Sequence, residues 1–468
     1  MKTLGMIAAV VLGVGQVGLA AGGVFRPTDY GAKADGITLC TKAIQEAIDA
    51  CEREGGGTVR LEGGRFLSGT LFLKTGVTLD VSKDAVLLGS TDLGDYPATR
   101  PNYRSYTDNY TERSLMYGEN LRNVSITGKG VIDGQGAAFE GEWKQRPYLI
   151  RLVTCENVSV QDITLRNSPM WMQHYLACDG VTLQRVRVHN HCNRNNDMVD
   201  IDGCKDVLIE ECVGDSDDDG ITLKSTSARP CENVTIRNCT VSSHCNAIKC
   251  GTESNGGFKN VTITNCTVRP SADTEPIFGK PTGLAGIALE IVDGGVMENV
   301  TVSDIDIEGT LAPVFVRLGD RARPFVKGGP RPEVGVLRNV TIRNVKATGA
   351  SVMGCPIAGL PGHPIQGLTL DNLTLSFAGG GEEDDKIRKF DEKAGEYPEC
   401  RMFAPRLPAF GLYCWHVEGL TLRDLELTTE SPDARPAVVV EDGRDVTVDG
   451  KPVADAAHAP EGLLMVSP

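Results

Sequence analysis

Residues Asn233–Val241 read NVTIRNCTV, and Asn260–Val268 read NVTITNCTV. In each, apolar and polar residues alternate (Val234 and Ile236 against Thr235 and Arg237), which is the period of a half-buried strand. After Asn238 the apolar set changes parity, to Cys239 and Val241, so the chain bends there and the unit is two short strands with an asparagine at the corner. The unit recurs at Asn123 (NVSIT), Asn157 (NVSVQDITL), Gly180 (GVTLQRVRV), Asp206 (DVLIEECV), Asn299 (NVTVSDIDI), Asn339 (NVTIRNVKA), Gly367 (GLTLDNLTL) and Gly419 (GLTLRDLEL), at intervals of 23 to 52 residues. Units of this kind bury their apolar face only by stacking. The expected fold is all-β, a right-handed parallel β-helix with Val, Ile and Leu in a continuous inner column.

Composition agrees. The 468 residues are 41% hydrophobic and only 5% aromatic, with 54 glycines, which suits narrow coils with many turns. A solenoid grows in one dimension, so length does not force several domains. The net charge of −15 argues against nucleic acid or an anionic membrane as partner. Residues 1–21 read as a signal peptide: Lys2, an apolar run through Val14 and Val17, then Gly18-Leu19-Ala20 as a small-residue cleavage site. The expected organisation is one β-helix domain over 22–455 and a C-terminal tail over 456–468, exported to the periplasm or outside the cell as a monomer. From Thr41 to Cys51 (TKAIQEAIDAC), Ala43, Ile44, Ala47, Ile48 and Cys51 share one helical face, a short N-terminal capping helix over the open end of the column. Two charged excursions, 319–332 and 379–408, are expected to shape one wall of a groove.

Fifteen cysteines in an exported chain raise the question of disulfides. Cys212, Cys239 and Cys266 recur at one place in the coil and are expected to stack as buried small residues. Cys40 with Cys51, and Cys245 with Cys250, are left open as bridges, and no zinc-type cysteine spacing occurs. The repeated Asn-Val-Thr triplets match a glycosylation sequon but fall at the corner, so they read as turn asparagines.

The chemistry gathers between Asn195 and Ser225. The runs NNDMVDID and DSDDDGITLKS place Asp197, Asp218 and Asp219 on neighbouring coils, and the 22-residue offset from Val199 to Ile221 carries Asp197 onto Asp219. Strands lie ~4.8 Å apart, so the acids should meet at a corner. Strict alternation turns Asp197 and Asp219 inward, and the corner is expected to redirect them. Clustered carboxylates push one another's pKa values apart, as glycoside hydrolysis requires. Asp215, Asp217, Asp219 and Gly220 also satisfy the opening of a calcium loop, but the twelfth position is Thr226 rather than Glu. No metal and no cofactor is expected.

With DYGAKADGITLCTKAIQEAIDACEREGGGTV from Asp29, NSPMWMQH from Asn167, NNDMVDID, DDGITLKS and SSHCNAIKCGTES, the chain resembles the glycoside hydrolase family of polygalacturonases and rhamnogalacturonan hydrolases, family 28. The resemblance covers most of the chain past the leader and implies a pectin-lyase-like solenoid that hydrolyses α-linked galacturonate-containing pectic chains with inversion. It implies Asp218 as general acid, Asp197 and Asp219 as holders of the attacking water, Asn195 as a substrate contact, and His244 as a residue touching substrate or tuning the acid. Where polygalacturonases carry Arg-Ile-Lys to grip the uronate, this chain has Ala288-Leu289-Glu290, and an acidic Glu290 would repel a substrate carboxylate. Lys224 and Lys249, expected to face the groove, and Arg317, Arg321 and Arg323 are the candidate replacements. A calcium-dependent β-helix lyase and a non-catalytic carbohydrate-binding β-helix remain as alternatives.

Overall fold

A computed structural model describes residues 22–453 and 459–466. The expected signal peptide lies outside the described residues. The strands form one right-handed parallel β-helix; among the described strands only Val446–Val448 and Lys451–Val453 pair antiparallel, beside one isolated antiparallel bridge between Leu360 and His363. A representative coil runs Lys205–Glu210, Val213–Ser216 and Ile221–Ser225. Each coil therefore has three strands where the sequence pattern gave two. From Gly257–Arg269 onward the first two merge into one long strand.

The repeat supplies the core directly. Val158, Val181, Val207, Val234 and Val261 stand in register on successive coils, and Val160, Leu183, Ile209, Ile236 and Ile263 form the next row. All are at most 3% exposed, each worth ~1.5–3 kcal/mol in burial. Helix α1, Thr41–Arg53, buries Ile44, Ala47, Ile48, Ala50 and Cys51 on the N-terminal end of this column, while Ala43 stays half-buried. At the other end Leu463–Val466, within the stretch expected to be a tail, pairs in parallel with Val438–Glu441 and adds a last strand. All fifteen cysteines are free thiols, so neither Cys40–Cys51 nor Cys245–Cys250 is bridged. Cys212, Cys239 and Cys266 stack in the core, and so do Cys155, Cys178, Cys204 and Cys231.

The corner asparagines adopt the left-handed conformation, with φ 56° at Asn233 and 53° at Asn260. Their amides form a ladder along the surface: Asn233 Nδ2 donates to Asp206 Oδ1 (2.9 Å), Asn260 Nδ2 to Asn233 Oδ1 (3.2 Å), and Asn299 Nδ2 to Asn260 Oδ1 (3.2 Å). Asparagine tolerates this backbone where a branched or apolar residue does not. Asn260→Ala is expected to cost about 1–2 kcal/mol, from the left-handed backbone and two lost ladder bonds, with no loss of coil structure. Urea denaturation followed by circular dichroism checks this; an unchanged midpoint would remove the ladder from the account of stability.

Candidate active site

The third strand of each coil builds the site. We number these strands β1 (Gln173–Leu176), β2 (Val199–Asp202), β3 (Ile221–Ser225), β4 (Asn246–Ser254) and β5 (Ala285–Ile291). Their inner residues join the core. Their outer residues align as His174, Asp200, Thr222, Lys249 and Ala288. The register Val199 to Ile221 is the one that the sequence offset requires, and the Met198 amide donates to the Asp219 carbonyl (2.9 Å). Asp197 and Asp219 sit immediately before β2 and β3, where the chain turns from one strand column to the next.

That turn brings the three acids together. One carboxylate oxygen from each of Asp197, Asp218 and Asp219 lies within 4.8 Å of the other two. They lie toward the outer face, but they are not freely open: Asp197 is 3% and Asp219 4% exposed, and only Asp218 is half-buried. Of the three, Asp218 has the greatest access to solvent.

Lys224 and Lys249 do not project into a groove as expected. They are buried because each is enclosed by acids. Lys224 Nζ lies 3.6 Å from Asp197, 3.3 Å from Asp200 and 3.8 Å from Glu253, and 4.6 Å from the centre of the Trp171 ring. Lys249 Nζ donates to Asp219 Oδ2 at 2.9 Å and lies 3.9 Å from Glu290. Asn246 Nδ2 adds a bond to Asp219 Oδ1 (2.7 Å).

These partners separate the protonation of the acids. Burial, then Asp219, pushes Asp218 up to about 6. Burial also acts on Asp219, but Lys249, Lys224 and the bonds from Lys249 and Asn246 hold it below the ordinary carboxylate value. Burial, followed by Asp200 and Asp218, raises Asp197 well above that value. Asp200 is pushed up to about 7 by burial, against the pull of Lys224. These four carboxyls share two ammonium groups with Glu253 and Glu290, so some must keep protons, and the clustered aspartates titrate as a unit. The result is one ionised carboxylate, Asp219, beside a half-buried acid that stays protonated into mildly acidic solution.

Glu290 is fully buried, and burial raises it to about 8 against the pull of Lys249, which favours its neutral form and weakens the repulsion of a substrate carboxylate expected from it. His244 is also fully buried. Its Nδ1 meets Asp217 Oδ1 (2.9 Å) and its Nε2 donates to the Asp273 carbonyl (2.8 Å). Asp217 in turn accepts from the Ile277 amide (2.7 Å). His244 thus ties the 271–283 loop to Asp217, in the turn that carries Asp218 and Asp219. Asn195, at φ 54°, stands at the corner before Asp197, its Oδ1 accepting from Arg146 Nη2 (2.9 Å). Arg317 is buried on β-helix packing, where it donates to the Gly359 carbonyl (3.2 Å), and Arg321 and Arg323 clasp Asp293.

Sequence reading missed Asp200, Glu253, Asn246 and Arg146. The only available signal for Asp200 was its parity with Asp202, on the outer side of β2. The calcium loop does not form, because Asp215 turns to His191 (2.8 Å) and Asp217 to His244, away from Asp219. The acid triad has the donor atoms for a cation, yet Lys224 and Lys249 already supply its positive charge and would repel a divalent ion.

Comparison with known proteins agrees with this geometry. The profile of Glycosyl hydrolases family 28 matches residues 66–395. The chain is 35% identical over 216 residues to a "Probable polygalacturonase" of Vitis vinifera, covering 42% of this chain and 43% of that one. It is 29% identical over 254 residues to the "Exo-poly-alpha-D-galacturonosidase" of Dickeya chrysanthemi, covering 43% and 42%. The chain thus spans less than half the length of these curated relatives. In fold it is similar to an exopolygalacturonase from Thermotoga maritima (TM-score 0.64, 23% identity, 76% of this chain and 87% of that one). It is also similar to a family 28 exopolygalacturonase from Yersinia enterocolitica (TM-score 0.66, 19% identity, 92% and 79%). With the profile matching well over half of the sequence, the chain belongs to glycosyl hydrolase family 28.

Proposed function

We propose that this chain hydrolyses α-linked galacturonate-containing pectic chains with inversion, outside the cytoplasm and from a chain end. The observation that carries the reading is the acid triad, three carboxyl groups within 4.8 Å whose surroundings drive Asp218 up and Asp219 down. Asp218, protonated and half-buried, gives its proton to the leaving glycosidic oxygen. Asp219, ionised beside Lys249, takes a proton from water, which Asp197 helps to orient.

The separation is shorter than the ~6.5–9.5 Å of the usual inverting pair. A third carboxyl accounts for this, since the water need not lie between acid and base. A single water donating to Asp197 and Asp219 at ~2.7–2.8 Å spans about 4.4 Å between their oxygens, in keeping with the spacing here. Action from a chain end is supported by the two insertions. The Asp320 amide donates to the Ala394 carbonyl (2.6 Å), so 319–332 and 379–408 meet as one wall. Relatives named as exo-acting enzymes favour the same mode.

The test is hydrolysis of homogalacturonan, rhamnogalacturonan and their oligomers in the presence of chelator, followed by proton NMR. Monomer or dimer released from the start, first seen as the β-anomer, is expected. An unsaturated product absorbing in the ultraviolet, or turnover abolished by chelator, would replace the hydrolase reading with a lyase.

A further inference from the structure

The geometry points to Tyr397 as a substrate-recognition residue, a contact for the uronic sugar supplied by an insertion rather than by the strand column. This inference rests on the hydrolase reading. Around the acids Lys249, Asp219 and Glu290 are all buried, whereas Tyr397 is 56% exposed. Its hydroxyl lies 3.5 Å from Lys249 Nζ, and Lys249 donates directly to Asp219, so the phenol is one side chain away from the ionised acid. The same ring stands 5.7 Å from the Lys249 ammonium and 5.6 Å from the Arg321 guanidinium. Arg321 keeps Nη1 buried without a partner while its other nitrogens hold Asp293 and Thr252.

The insertion that carries Tyr397 is fixed in place. Cys400, Phe403 and Leu407 belong to one apolar cluster with Leu284, Ala288 and Phe315 of the site column and its neighbour. The small side chain at Ala288 is therefore part of the seat on which the insertion rests. A uronic sugar offers an apolar C–H face and a carboxylate. An exposed aromatic ring takes the first, and a phenolic O–H backed by Lys249 and Arg321 takes the second. One residue thus supplies both kinds of contact beside the acids.

The test compares wild type, Tyr397→Phe and Tyr397→Ala on trigalacturonate and on its methyl ester. Tyr397→Ala is expected to raise KM about tenfold on both, with kcat within about threefold of wild type. Tyr397→Phe should retain affinity for the ester and lose the preference for the free acid. An unchanged KM in Tyr397→Ala overturns the proposal, and so does a Phe variant that keeps the wild-type preference for the acid. Wild type that cleaves neither compound overturns the hydrolase reading instead. Calorimetric titration of trigalacturonate into wild type and Tyr397→Ala then decides Tyr397 by itself, since equal or absent binding refutes its role.

Discussion

Asp218→Asn is expected to lower kcat on galacturonate oligomers by about 10³, the share of rate that a positioned proton donor supplies, with KM little changed. It should also leave the fold equally or more stable. Burial and Asp219 raise the Asp218 carboxyl from its ordinary 3.8 to about 6, so folding favours its protonated form. A carboxyl raised on folding stabilises at low pH and destabilises as pH rises through the folded value, the reverse of a salt-bridged aspartate. At pH 7 the ionised side chain costs on the order of 3 kcal/mol, which the neutral amide removes. The same shift sets the pH profile. The wild-type rate should fall above about pH 6 as Asp218 loses its proton, and fall again in strong acid as Asp219 gains one. Steady-state kinetics between pH 3 and 8, together with thermal melts, check this. A variant with more than a tenth of wild-type kcat, or a wild-type rate flat from pH 5 to 8, would remove Asp218 from the acid role.

Lys224→Met is expected to be the most destabilising single change at the site, by about 3–5 kcal/mol at neutral pH, because it leaves buried carboxylates without their counter-charge. Lys224 serves Asp197, Asp200 and Glu253 at once, and its own pKa is held well above the ordinary lysine value: burial lowers it, but the three acids more than offset that. Burial works against the ionised form of Glu253 too, yet Lys224 and Arg323 keep it below the ordinary glutamate value. Without the ammonium, Asp197 and Asp200, already raised by burial, rise further, and Glu253 loses part of the pull that keeps it low, so the folded variant binds more protons than the folded wild type. The deficit should therefore be smallest at acidic pH and grow as pH rises. Urea unfolding of both proteins at pH 4.5 and 7.5 measures it. A loss below 1 kcal/mol, or one independent of pH, would show that the buried ion cluster contributes little. A cation reaching into an open groove would instead change KM and leave stability almost untouched.

Much of this molecule was legible in its residues. The alternation in NVTIRNCTV, its parity change at Asn238 and its recurrence specify coils whose first two strands have one face in the core and one in solvent. The offset from Val199 to Ile221 likewise gave the stacking of Asp197 on Asp219. The third strand did not register as a separate element of the repeat. Its VDID and ITLK alternate, but strands β2 to β5 are buried on both faces because loops and insertions cover their outer side, so the polar side of that alternation is enclosed rather than solvated.

That burial misled the reading of their charges. Parity correctly placed Lys224 and Lys249 outside the core, but outside did not mean solvated, and both side chains are consumed by neighbouring acids. His244 was read from its motif, and only the return of the 271–283 loop over it shows which groups it holds. Local sequence thus determined the coil, its register and the meeting of the three acids, because those follow from short-range periodicity. Which carboxyl is pushed up, which cations are enclosed and which insertion stands over the acids depend on groups distant in sequence closing over the column, so the tertiary structure alone decided them.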